Sequence, residues 1–318
     1  MDPNDLRRKT SLAPALQAVA LSRSPFAPYK SGSNHRFSAD GSLFRKCEAS
    51  LRSELRIHDF GLGGIEAISS PCVVWEEIEP MTAAALSDAL ACQAFAYPLT
   101  ERERLEKSQL NDVRSTRRAC TKVRRLAKWK NLDTLLTLTY AENQTDRALM
   151  QKHFAAFARR VKRAIPGFEY VAVFERQKRG AWHCHMAVAR IKSGYWVRGV
   201  FVHSWRLLRS IWRSVIAGGG NIDVKASGKP GRSISKLAGY LTKYICKDLH
   251  LAEKYQNSYQ SSGADLPPPV VLFVDSIHRD ALLVALVTAL SPEVAAGRLY
   301  VSQPLLSGGY FLTLTPDS

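Results

Sequence analysis

The chain has 318 residues, with 45 Lys or Arg against 28 Asp or Glu, a formal charge of +17 and a pI near 9.8. Hydrophobic residues at 46% and charged residues at 23% exclude a disordered tail or a fibrous repeat. The longest apolar run, Ala281 to Leu290, is about half of what a membrane span needs, so no membrane partner is expected.

So large a basic excess points to a polyanion, because cations that neutralise phosphates release condensed counterions. Residues 1–45, rich in Ser, Pro, Arg and Lys, read as a basic arm. The apolar piece from Leu12 to Leu21 is broken by Pro14 and Gln17, and no leader is expected there. Six cysteines stand singly with no C-x-x-C pair, which suits reduced thiols in a cytoplasm and no zinc finger.

Residues 46–113 form an N-terminal accessory region in which Met81–Ala94 and Glu101–Leu110 are expected to be helical. From Arg114 the composition changes. Arg114, Arg117, Arg118, Lys122, Arg124, Arg125, Lys128 and Lys130 follow with no acidic residue between them, a helix charged most of the way round and suited to phosphate contact.

An α/β pattern then begins. Thr134–Tyr140 (TLLTLTY) reads as a buried strand. Thr145 and Asp146 resemble an N-cap, opening a helix with Met150, Phe154, Phe157 and Val161 on one face and Pro166-Gly167 at its end. Phe168–Glu175 and Trp182–Arg190 are two strands joined by the basic turn Arg176–Gly180. Phe201–Val215 reads as a helix with Trp205, Leu208, Trp212 and Val215 inward. After Gly218-Gly219-Gly220 come a short strand, Asn221–Val224, a loop, Gly228–Gly231, and a helix, Ile234–Leu249. Residues 250–318 are a C-terminal accessory region: a polar linker, Asn257–Gly263, a Pro267–Pro269 stop, strand Val270–Val274, helix Asp280–Leu290 and strand Tyr310–Thr315.

Two constellations carry chemistry. On a strand, residues i and i+2 share a face, so His183 and His185 project side by side, with Glu175 across the ladder. Two imidazoles and a carboxylate with open positions suit a catalytic Mg²⁺ or Mn²⁺, although two histidines on a polar sheet face give the same pattern. In the last helix of this region, about 100° per residue gathers Ile234, Leu237, Leu241 and Ile245 into a buried stripe. Tyr240 and Tyr244 fall at its margin, beside Lys236, Lys243 and Lys247. Tyrosine pairs are ordinary core residues elsewhere; here the stripe already supplies a core, and the lysines favour both phosphate and the phenolate form.

TLLTLTY, FERQKRGAWHCHMAV and GYLTKYICKDL, in that order, resemble the three motifs of rolling-circle replication initiators of the HUH endonuclease superfamily. The Tyr-x-x-Lys-Tyr helix is similar to that of the two-tyrosine phage and plasmid branch. The likeness covers about Arg114 to Leu249, under half the chain, and departs from the family at Cys184, where a larger hydrophobe is usual.

The resemblance implies an α+β catalytic domain over 114–249, built on a palm-like antiparallel sheet of about five strands flanked by helices; the pattern itself supports four. It implies a metal-dependent nickase and strand transferase. His183, His185 and Glu175 would hold the divalent ion. Tyr240 or Tyr244 would attack the scissile phosphate, leaving a 5′-phosphotyrosine and a 3′-OH primer, with Lys243 neutralising charge. The partner would be single-stranded origin DNA. Arg176, Lys178 and Arg179 at the turn would touch it, as would Arg117, Arg118, Lys122, Arg124, Arg125, Lys236 and Lys247.

With no G-x-x-x-x-G-K-[ST] run, unwinding would fall to a host helicase and synthesis to a host polymerase. No small-molecule substrate is expected. The alternatives are a relaxase or transposase of the same superfamily, and a non-catalytic DNA-binding regulator on the same fold.

Overall fold

The computed structural model describes residues 35–37, 43–47, 51–61, 64–77, 100–226, 232–247, 259–290, 298–302 and 309–315. Most of the expected arm, the Met81–Ala94 helix and the Gly228–Gly231 loop lie outside them. The chain divides into two compact units, 1–59 with 65–106 and 268–317, and 60–64 with 107–267.

The first strands are β1 (His35–Phe37), β2 (Leu43–Cys47), β3 (Ser53–Asp59), β4 (Ile65–Pro71) and β5 (Val74–Glu77). β1, β2 and β5 form a three-stranded antiparallel sheet, and β3 pairs antiparallel with β4. Helix α1 (Glu101–Trp129) merges the two helical stretches expected on either side of residue 112. Its start is a capping box: the Thr100 hydroxyl accepts from Glu103 N, and the Glu103 carboxylate accepts from Thr100 N.

The second unit is a three-layered α+β domain. Its elements are β6 (Thr134–Tyr140), α2 (Arg147–Ala164), β7 (Tyr170–Arg176), β8 (Trp182–Val188), β9 (Gly194–Val197), β10 (Val200–His203), α3 (Ser204–Ile216), β11 (Gly220–Ala226), α4 (Arg232–Lys247) and β12 (Tyr259–Ser261). Five strands make one antiparallel sheet in the order β11-β6-β8-β7-β12. Period-two alternation sorts its side chains. Leu136, Leu138, Phe174, Cys184 and Met186 face α2 and α3, where Phe154, Phe157, Leu208 and Trp212 bury against them. Leu135, Val171, Val173 and Ala187 face the other way, onto Val123 and Leu126 of α1 and Leu237, Leu241 and Ile245 of α4.

Several expectations are corrected. The α2 cap is Asp146, whose side chain accepts from Leu149 N. The fifth strand, β12, lies inside the stretch read as a linker, held by pairing with β7 and by the Ser262 hydroxyl accepting from Tyr170 N. Val200–His203, expected as helix from residue 201, is instead a strand paired with β9, and Trp205 is exposed rather than inward.

Gly220 opens β11 where a Cβ would stand 2.9 Å from both Trp212 Nε1 and the Thr139 carbonyl, so only glycine lets α3 reach the sheet.

The chain ends with β13 (Val270–Val274), α5 (Arg279–Ala289), β14 (Arg298–Ser302) and β15 (Phe311–Thr315). These return to the first unit, giving a five-stranded antiparallel sheet ordered β13-β3-β4-β15-β14. The two accessory regions therefore share one core, built on Leu55, Ile57, Ile65, Leu286 and Leu312. Among the described residues no helix is long and apolar enough to cross a membrane.

Candidate active site

The α4-facing side of the second unit's sheet carries the titratable residues. Register pairs Glu175 of β7 directly with His183 of β8, and the alternation puts His185 on the same face. His185 is buried. Its Nε2 lies 3.0 Å from Glu175 Oε2 and its Nδ1 3.2 Å from Thr137 Oγ1. A carboxylate only accepts, so Nε2 carries the proton and the Thr137 hydroxyl donates to Nδ1. The His183 ring lies 6.4 Å from that of His185, with Gln177 Nε2 3.2 Å from its Nδ1. His183 is held below the ordinary imidazole pKa by burial first, then by His185; Arg179 adds to this and Glu175 opposes it.

Helix α4 lies across this pair. Ile234, Leu237, Leu241 and Ile245 are buried as the expected stripe. Tyr244 is only 7% exposed and stacks on His185, ring centroids 4.0 Å apart and 12° from parallel. Tyr240, one turn earlier, is 41% exposed, with its ring 4.9 Å from Tyr244. The Tyr244 hydroxyl donates to that of Tyr240. Burial pushes the Tyr244 phenol well above its usual range, and its hydrogen bond to Tyr240, the Tyr240 charge and Glu175 push the same way. This corrects the expectation that neighbouring lysines favour the phenolate form at both positions. Lys243 is exposed on α4. Lys236 and Lys247 fall on α4, but their side chains lie outside the described residues.

The structure thus gathers Glu175, His183, His185, Tyr240 and Tyr244 on one face. Arg176, Lys178 and Arg179 are exposed on the turn after β7, where Arg179 Nε donates to Gln177 Oε1 at 3.1 Å. Arg117, Arg118 and Lys122 are exposed on α1, with Lys122 paired to Asp265 at 3.5 Å; Arg124 and Arg125 are half-buried. The α1 helix is not cationic all round. Lys128 is buried beside the Phe60 ring, and Lys130, just past the helix, is buried with Nζ 3.3 Å from Glu169 and 3.0 Å from the Ala264 carbonyl. Trp182 is half-buried, donating from Nε1 to the Thr145 carbonyl under the Arg147 guanidinium.

Sequence reasoning missed Thr137 and Gln177, the two side chains that orient the imidazoles. Thr137 had a signal: it alternates with Leu136 and Leu138 and so shares the face of His185.

Among the described residues no group of three His, Cys, Asp or Glu stands ready to hold a metal ion. The donor set nevertheless fits one chemically. The Glu175–His185 contact is a proton bridge that a cation can replace, and the Thr137 hydroxyl can turn to accept Nδ1–H, freeing the Nε2 lone pair.

Residues 133–249 match a family model described as replication-associated protein, of the ORF2 and gene-2-protein type. The matched stretch contains β6 to α4, and with them every residue of the His, Glu and Tyr cluster. It covers under half the chain and supports a replication initiator in general terms. No curated protein and no solved structure matches the chain.

Proposed function

We propose that the chain is a two-tyrosine HUH endonuclease that nicks and rejoins single-stranded origin DNA to start rolling-circle replication. The observation that carries this reading is the contact between two elements far apart in sequence: Tyr244 of α4 stacks at 4.0 Å on His185 of β8 and hydrogen-bonds Tyr240. A core tyrosine pair would not need a buried imidazole–carboxylate pair beneath it.

Tyr240, the more exposed phenol, attacks phosphorus. Its proton leaves as the O–P bond forms, the P–O3′ bond breaks, and the departing oxygen takes up a proton to become the 3′-OH primer. Tyr244 donates its hydrogen bond to the attacking oxygen, and the His185 ring fixes Tyr244 in place. Reversal, a 3′-OH attacking the phosphotyrosine, rejoins the strand and frees the phenol.

His183, His185 and Glu175 would hold Mg²⁺ or Mn²⁺, and Lewis-acid stabilisation of the scissile phosphate is what such an ion supplies when bound. Arg176, Lys178 and Arg179 guide the strand toward the cluster, and Lys243 offers charge beside the phenols. The reaction belongs in a bacterial cytoplasm, with a host helicase and polymerase as partners.

His183→Ala and His185→Ala test this. Each should abolish cleavage of labelled origin strand in Mn²⁺ while keeping most DNA affinity, which is spread over many phosphate contacts. Cleavage equal to wild type in both variants would remove the site from the reaction.

A further inference from the structure

The β9–β10 hairpin and the start of α3 expose an unusual set of rings. Arg198 at φ 49° and Gly199 at φ 79° make a two-residue turn with both central residues left-handed, the tight geometry that matches strand twist. Register pairs Trp196 with Phe201 and Gly194 with His203, so these four share one face. The opposite face puts Tyr195 onto the core.

On the outer face Trp196 is 74% exposed and Phe201 46%, their rings 5.8 Å apart and 68° from parallel. Phe201 is pinned. A Cβ on Gly194 would sit 2.5 Å from its ring, so the ring lies over bare backbone. Next along the chain, exposed Trp205 carries the guanidinium groups of Arg206 and Arg209, each 5.0 Å from its centroid. Arg209 Nε is shielded from solvent and has no hydrogen-bond partner among the described residues. No Asp or Glu occurs anywhere between Arg176 and Ile222.

Exposed large rings ordinarily mark a docking surface. The charge decides what docks here. Aromatic faces interleaved with Arg198, Arg206 and Arg209, and with no acidic residue nearby in sequence, complement stacked bases joined by phosphates.

We infer that this hairpin and the first turns of α3 are a stacking platform for single-stranded DNA, separate from the nicking face. Helix α3 packs on the Cys184 and Met186 side of the sheet, whereas His183, His185 and the tyrosines lie on the other. The platform holds bases of the same strand away from the nick and without sequence preference. It rests on the proposed handling of single-stranded DNA, not on the nicking chemistry.

The test is equilibrium binding of the full chain to oligothymidylate and to an abasic oligomer of the same length. Wild type should prefer oligothymidylate. Trp196→Ala with Phe201→Ala should lose about tenfold or more of that affinity together with the preference, since stacking is lost base by base. Trp196→Phe should retain most of both. Arg198→Ala should weaken both oligomers alike and lower the salt dependence by about one ion.

Oligothymidylate affinity in the double alanine variant equal to wild type would overturn the platform. So would a change in self-association with DNA affinity untouched, which would mark a protein interface. At saturating origin strand the double alanine variant should form covalent adduct as wild type does. If wild type forms none, the nickase reading fails while the binding comparison still decides the platform.

Discussion

Replacing each tyrosine separately by phenylalanine should give unequal defects, because α4 presents the two phenols differently. Tyr240 is 41% exposed and Tyr244 7%, and the Tyr244 hydroxyl donates to that of Tyr240. As Tyr240 attacks, negative charge on its oxygen passes into the new bond, and the donor from Tyr244 stabilises what remains. A hydrogen bond to a charged group contributes about 1.5–3 kcal/mol. At about 1.4 kcal/mol per decade, Tyr244→Phe should slow first adduct formation by about ten- to a hundredfold without abolishing it. Tyr240→Phe leaves only a buried phenol whose deprotonation is opposed by burial and by Glu175, so the adduct should fall below detection on the same time scale. The assay is single-turnover formation of protein–DNA adduct on an origin strand with Mn²⁺, read on a denaturing gel. Near wild-type rates for Tyr240→Phe together with loss of adduct in Tyr244→Phe would invert the assignment and refute the argument from exposure.

Three further outcomes follow from the scaffold. Lys130→Met removes the buried partner of Glu169 and Ala264 and should cost about 1–3 kcal/mol in urea unfolding, less than a fully buried pair because Glu169 reaches solvent; a midpoint unchanged from wild type would make the contact incidental. Gly220→Ala forces a methyl against Trp212 Nε1, which donates to the Thr139 carbonyl at 2.9 Å, and should destabilise the domain by about 1–3 kcal/mol by calorimetry. His153 accepts from Tyr140 and is held below the ordinary imidazole pKa by burial and by Lys152. The unfolded chain therefore binds a proton first on acidification, so this contribution is present above about pH 6.5 and is lost as pH falls toward the depressed folded value. His153→Gln should flatten the decline in melting temperature over that window, and an unchanged slope would assign the decline to other groups.

Much of the site was legible because it obeys simple periods. Alternation put His183 and His185 on one face, and the helical repeat separated the Ile234, Leu237, Leu241 and Ile245 stripe from the phenols. What periodicity does not encode is depth. The tyrosines looked alike in sequence, and only the stacking of Tyr244 on His185 separates a buried phenol from an exposed one. Lys130 was read with its basic neighbours as a phosphate ligand, since charge alone does not reveal that Glu169 and a carbonyl wait to receive it.

Short or polar strands were missed for a related reason. β12 is three residues held by backbone pairing and by Ser262, and the β9–β10 turn uses Arg198 where Asn or Asp would have signalled it. The sharing of one sheet by β3, β4, β13, β14 and β15 is non-local pairing, which no window of sequence displays.

The most direct test of the account is incubation of the full chain with origin strand labelled at its 5′ or its 3′ end, in Mn²⁺ or EDTA, on a denaturing gel. The account predicts a Mn²⁺-dependent band in which the 3′-labelled fragment is bound to protein, absent when Tyr240 and Tyr244 are both phenylalanine. Tight DNA binding with no covalent species on any origin fragment would contradict it and leave a DNA-binding regulator on a nickase fold.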